Sequence, residues 1–180
     1  EVGTGAEIAI SVYDYPRGEM GILLDPRDPD LARQHPRDYL DGAVAVINDV
    51  LTQARAVAGF STDQVIGLGV DTTGSTPIPV DADGTPLALT EAFAENLGAM
   101  AYLWKDHTGH AEAVEITAKA AEMRPQFLAK CGGTYSAEWF WAKILRCLRA
   151  NPEVFAAAYT WVEHADWLPA VLCGTAKPGM

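Results

Sequence analysis

No stretch of this sequence approaches the roughly eighteen uninterrupted apolar residues that a helix needs to cross a bilayer. Its opening, EVGTGAEIAI, also lacks the basic start and apolar middle of a secretory signal, so a cytoplasmic protein is expected. Basic residues are scarce, with 13 Lys and Arg against 24 Asp and Glu and a net charge of -11. No local basic patch offsets that field, so a nucleic acid or an anionic membrane is not an expected partner. Cysteine is limited to Cys131, Cys147 and Cys173, odd in number and widely spaced. Two of the three are flanked by helical apolar sequence, which suits buried reduced thiols better than disulfides or a metal site. Internal repeats and low-complexity segments are absent too.

What remains is a chain of 180 residues, 49% of them hydrophobic, long enough to bury one core. GAEIAISVYDYP reads as a strand from about Glu7 to Tyr15. Gly3 and Gly5 before it resemble a hairpin turn without a first strand, so the domain is expected to begin upstream. Pro16, Pro26, Pro29 and Pro36 mark residues 16–36 as loop. From Arg37 to Gly59 apolar residues recur at helical spacing, with Asp38 and Asp41 in the first turn, where the helix dipole favours acids. Val65 to Val70 is a near-continuous apolar run of strand length, as in an interior strand covered on both faces. A helix followed by such a strand predicts an α/β arrangement. An Asp-Gly turn at 83–84 predicts a hairpin over 78–87, and 101–104 a short buried strand. Helices follow at about 109–122, 137–150 behind a Ser136 cap, 152–158 and 163–172, with a stop at Gly174.

Two loops carry the chemistry. In open α/β sheets ligands sit outside the carboxyl ends of the strands, which is where Asp71-Thr72-Thr73-Gly74-Ser75-Thr76 emerges. One carboxylate, four hydroxyls and a glycine open to close approach suit a polyhydroxylated ligand, although the same residues also make an ordinary ST-rich turn. Trp104-Lys105-Asp106-His107-Thr108 repeats the logic after the second apolar run. An indole packs on the apolar side of a sugar while Lys105 and Asp106 bond hydroxyls, the alternative being a surface Lys-Asp pair beside a core Trp. His107 and His110 with Glu112 or Glu115 lack a third ligand at a recognisable interval, so no metal is expected. His35 and His164 read as surface or capping residues. Gly132-Gly133-Thr134-Tyr135-Ser136 is an incomplete phosphate cradle, and as a helix start it brings Tyr135 into a cleft.

Several segments taken together resemble the FGGY carbohydrate kinases, and within them the L-ribulokinases: PRDYLDGAVAVINDVL, VIGLGVDTTGSTPIPVDADGTPLAL, YLWKDHTGHAEAVEIT, CGGTYSAEWFWAKILR and VEHADWLPAVLCGT. The resemblance implies an actin-like, RNase H-like α/β domain with a mixed central β-sheet flanked by helices. It further implies that the chain is the truncated N-terminal half of a two-domain sugar kinase, with residues 1–180 expected to form a partial first domain. The implied activity is ATP-dependent phosphorylation of L-ribulose to L-ribulose 5-phosphate in arabinose catabolism, with ATP and Mg²⁺ as cofactors of the intact enzyme. By position, Gly74 and Ser75 match the sugar-contacting loop, and Trp104 and Tyr135 match aromatic positions lining the sugar pocket. Lys105, Asp106 and Glu138 are carried over as their neighbours, and Asp71 completes the substrate-binding set. Family members begin with a strand and an Asp-Phe-Gly-Thr-like phosphate loop and place the catalytic Asp in the second domain. Neither matches a segment here, so no catalytic residue and no activity of the fragment alone are expected.

Kinases for xylulose, ribitol or glycerol, and a non-catalytic sugar-binding module, are the competing readings. A metal-dependent hydrolase stands further off. A homodimer is left open, with the aromatic helix from Ala137 to Arg149 the first surface to inspect. The sugar reading requires the loop at 71–76 and the corner at 104–106 to share one wall.

Overall fold

A computed structural model describes residues 1–179. Its strands form two small antiparallel sheets. One has the order β1-β2-β4, from Leu23–Asp25, Asp28–Gln34 and Ala101–Tyr102; the other pairs β3, Pro77–Val80, with β5, Thr160–Glu163. Helices surround them: α1 Pro36–Ala54, α2 His110–Met123, α3 Pro125–Lys130, α4 Phe140–Ala150, α5 Pro152–Ala157 and α6 His164–Cys173. The α/β class expected from the sequence is therefore present, but among the described residues its strands form two antiparallel sheets instead of one mixed central sheet.

The helices follow from local chemistry. At the start of α1, His35 accepts a hydrogen bond from the Arg37 backbone N–H through Nδ1 at 3.1 Å. Pro36 occupies the first turn, where its missing N–H costs nothing, and Asp38 adds an acid at the positive end. Helix α6 ends as read, with Gly174 left-handed at φ 72°. Helix α4 begins later than expected, at Phe140. Ser136 does not cap it, and its hydroxyl instead accepts from the Glu138 backbone N–H at 3.2 Å.

Three expectations about strands fail. The prolines of residues 16–36 do not prevent a hairpin, because Pro29 lies in the part of β2 that meets only β1. Residues Glu7–Tyr15 and Val65–Val70 pair with no strand among the described residues. Far from being covered on both faces, Val65, Ile66 and Leu68 are exposed, as are Ile8, Ile10 and Val12. An apolar groove of about 530 Å³ runs between these two segments over Ile47, Val50 and Leu51 of α1.

The core lies between the sheets and α4–α6. Leu87, Met100, Tyr102, Cys147 and Val154 form one cluster, and Tyr39, Ile78, Val80, Ala101 and Trp167 another. Strand β3 is buried at all four positions. The expected turn is there: Gly84 adopts φ 81°, and Asp81 N–H bonds the Thr85 carbonyl at 2.9 Å, although the main partner of β3 is β5. All three cysteines are free, but only Cys147 is buried, against the expectation for a second; Cys131 and Cys173 are exposed. His164 is neither surface nor cap. It is 8% exposed and stacks on Tyr39 with ring centroids 3.7 Å apart.

Candidate functional site

Strand β2 and its neighbour β4 set the first corner. Beyond β4 the chain stays beside β2, with Leu103 N–H bonding the Ala32 carbonyl at 3.1 Å and His107 N–H the Asp30 carbonyl at 2.9 Å. Between them Asp106 N–H closes a turn onto the Leu103 carbonyl at 3.0 Å, which leaves Trp104 and Lys105 at its exposed apex. Asp106 points the other way. It is fully buried, ion-paired with Arg33, and accepts from Ala32 N–H at 2.8 Å and from the Thr108 hydroxyl at 2.6 Å. Arg33 in turn lies over the Tyr102 ring, 3.5 Å from its centroid. The carboxylate therefore holds the turn from beneath, while the indole and the Lys105 side chain stay outside.

The second corner is the loop before β3. Thr76 is anchored once to β5 and once to the start of α6: its N–H donates to Glu163 Oε2 at 2.8 Å, and its carbonyl accepts from His164 N–H at 3.0 Å. Burial raises the pKa of Glu163, against the opposing pull of the Thr76 N–H and of Lys143. Ser75, immediately before, sits in the left-handed region at φ 56°, uncommon for a residue with a Cβ and held only where the surroundings over-determine it. Asp71 and Gly74 lie on the exposed part of the loop. Asp71 also edges a small cavity of about 300 Å³ with Tyr13, Tyr15 and Leu172.

The two corners meet on one side chain that the sequence reading passed over. Lys143 of α4 is fully buried, and its Nζ donates to the Ser75 carbonyl at 2.5 Å and the Leu103 carbonyl at 2.7 Å. The signal for it was present: a lone cation between Ala142 and Ile144, on the inward face of an amphipathic helix, is rare without partners.

Tyr135 and Glu138 belong to a neighbouring cleft of about 640 Å³, together with His107, His110, Thr117 and Ser136. Glu138 meets His107 Nε2 at 3.1 Å. Tyr135 packs edge-on against Trp139 and accepts from Trp141 N–H at 3.1 Å, and burial raises its pKa. Of the eight expected residues, then, Ser75 and the Trp104–Lys105 turn are brought together through Lys143, and Tyr135 and Glu138 line the cleft. His107 follows that turn and joins the two regions. Asp106 is enclosed beneath them. Among the described residues no group of three or more His, Cys, Asp and Glu side chains could hold a metal.

This chain is 43% identical over 176 residues to a ribulokinase from Vibrio parahaemolyticus, a match covering 97% of the chain and 30% of that protein. The chain is a relative of the ribulokinases. A second ribulokinase, from Mycolicibacterium smegmatis, is 37% identical over 179 residues, covering 96% of the chain and 31% of its own length. The chain thus spans about a third of the length of the ribulokinases it matches. In three dimensions it resembles a xyloylose kinase from Brucella ovis, with TM-score 0.61 and 19% identity over 83% of the chain and 27% of that structure. At that identity the likeness concerns the fold, and it agrees with the α/β domain expected for this ribulokinase relative. No family model matches the chain.

Proposed function

We propose that this chain supplies the sugar-binding wall of an ATP-dependent kinase that phosphorylates L-ribulose to L-ribulose 5-phosphate, and that it forms part of the first domain of that enzyme. The observation that carries the reading is the 43% identity to a ribulokinase over 97% of the chain. The meeting of the hydroxyl-rich loop with the Trp104 turn at Lys143 supports it. Trp104 would pack its exposed face on the apolar side of the ketopentose, while Lys105, Ser75 and the loop hydroxyls bond its hydroxyl groups and fix its orientation. Such a set binds and aligns the acceptor sugar.

ATP with Mg²⁺ is the donor this reading implies, and it supplies the transferred phosphoryl group and the countercharge when bound. Among the described residues no group of three or more His, Cys, Asp and Glu side chains gathers to hold a metal by itself, and the Gly132-Gly133-Thr134 bend precedes Phe140, the first residue of α4, by too many residues to offer that helix N-terminus to phosphate.

The test is ADP release by the full-length protein with Mg-ATP and a panel of L-ribulose, D-xylulose, ribitol and glycerol. L-Ribulose is expected to give the highest kcat/KM, since a site built to bond particular hydroxyls rejects epimers strongly. No release above background with any of the four removes the proposal, and a clear preference for another sugar replaces its substrate.

A further inference from the structure

Removing a charged amine from water is costly, and a hydrophobic side chain of the same length would fill the site of Lys143 without that cost. Burial pushes the Lys143 pKa down to about 7, Arg33 on β2 acts in the same direction, and Glu163 on β5 and Glu138 ahead of α4 oppose it. What an apolar residue cannot do is donate hydrogen bonds. Lys143 donates one to each corner of the candidate site, and its acceptors are backbone carbonyls, so the contact sets where the chain runs rather than how one side chain rotates. The Leu103 oxygen it holds is also the one that closes the turn presenting Trp104 and Lys105. The Ser75 oxygen belongs to the residue held at φ 56°.

We propose that Lys143 is a positioning residue for sugar recognition: by gathering the carbonyls of Ser75 and Leu103 on one nitrogen, it fixes the separation between the 71–76 loop and the Trp104 turn. The inference rests on the sugar-kinase reading above. Lys143 does not touch the sugar. It sets the spacing of the groups that do, and its loss falls on sugar binding before it falls on nucleotide binding.

The test uses the full-length protein with L-ribulose and Mg-ATP. Lys143→Met keeps the length of the side chain and removes its donors. The expected result is a rise of about tenfold or more in the KM for L-ribulose, with the KM for ATP within about twofold of the parent. Lys143→Arg, which restores N–H donors, is expected to recover part of the loss. A folded Lys143→Met protein with an unchanged sugar KM, or with both KM values shifted by the same factor, overturns the inference.

Should Lys143→Met lack a cooperative unfolding transition, the parent protein decides. Its dissociation constant for L-ribulose, measured without nucleotide between about pH 6 and about pH 9, is expected to weaken several-fold as the ammonium loses its proton, because charge-assisted hydrogen bonds are the stronger ones. The midpoint is expected near the Lys143 value of about 7. Glu163→Gln removes a carboxylate that favours the ammonium, so that midpoint should move to lower pH. Flat binding across the range overturns the inference. A parent that neither binds nor phosphorylates a ketopentose removes the sugar-kinase reading and the inference with it, whereas an active parent indifferent to Lys143→Met removes the inference alone.

Discussion

Arg33 and Asp106 form an ion pair shut away from solvent, the arginine 3% exposed and the aspartate not at all, beneath the turn that displays Trp104. Removing one member of such a pair leaves the other buried and uncompensated. Asp106→Ala is therefore expected to lower unfolding free energy by about 3–5 kcal/mol, measured by urea denaturation. A double variant with Arg33→Met and Asp106→Leu should recover much of that loss. Loss of sugar binding in the single variant would then reflect the collapse of the turn, not a missing contact to substrate.

Stability is expected to fall in acid through His164. Burial lowers its pKa from the ordinary 6.5 to about 4, and its Nε2 has no hydrogen-bond partner among the described residues. Between those two values the unfolded chain binds the proton and the folded one resists it. The contribution of the neutral ring is thus complete above pH 6.5 and is lost as pH falls through about 4. The predicted loss is about 3 kcal/mol across that window. His164→Leu should flatten that limb of a stability profile measured by denaturant midpoints, and an unchanged limb would assign the acid sensitivity to other groups.

Gly84 answers to two constraints at once. Its φ of 81° disfavours any Cβ, and a Cβ built there would stand 2.0 Å from the Ala176 carbonyl oxygen. Its own carbonyl accepts from Trp167 Nε1 at 3.1 Å. Gly84→Ala is expected to cost about 2 kcal/mol or more, read as a lowered midpoint of thermal unfolding. A neutral outcome would mean that residues after Cys173 can move aside freely.

Trp104 separates binding from folding. At 47% exposed it contributes little to the core, so Trp104→Ala should change stability by less than about 1 kcal/mol. Under the proposed function the same change lowers kcat/KM for L-ribulose by about tenfold or more. An unaltered kcat/KM would remove the indole from the sugar site.

The periodic parts of the chain were legible. Helices α2, α5 and α6 lie within one or two residues of their expected bounds, because a 3.6-residue apolar stripe and a Gly or Pro at its end are local signals. Val65–Val70 was misread for the opposite reason. Its composition states that it prefers cover, but whether cover is supplied depends on neighbouring strands that a local window does not encode. The loop corners were legible as hydroxyl-rich and aromatic sequence following an apolar run. Their joint fastening was not, since Lys143 lies far along the chain and bonds main-chain oxygens, which carry no residue signature. Asp106 shows a further limit: an acid beside an exposed Trp and Lys reads as a surface group, and only the tertiary position of Arg33 reveals that it faces inwards.

The thiols divide the molecule into reactive and protected sites. Cys147 is sealed between α4 and the core with its pKa raised by burial, whereas Cys131 after α3 and Cys173 at the end of α6 face solvent. Because the thiolate is the reacting species, a maleimide at neutral pH should modify the latter two and spare the first. Within this chain Cys131 and Cys173 therefore already serve as labelling positions for fluorescence or spin-label distance measurements, without any engineered cysteine.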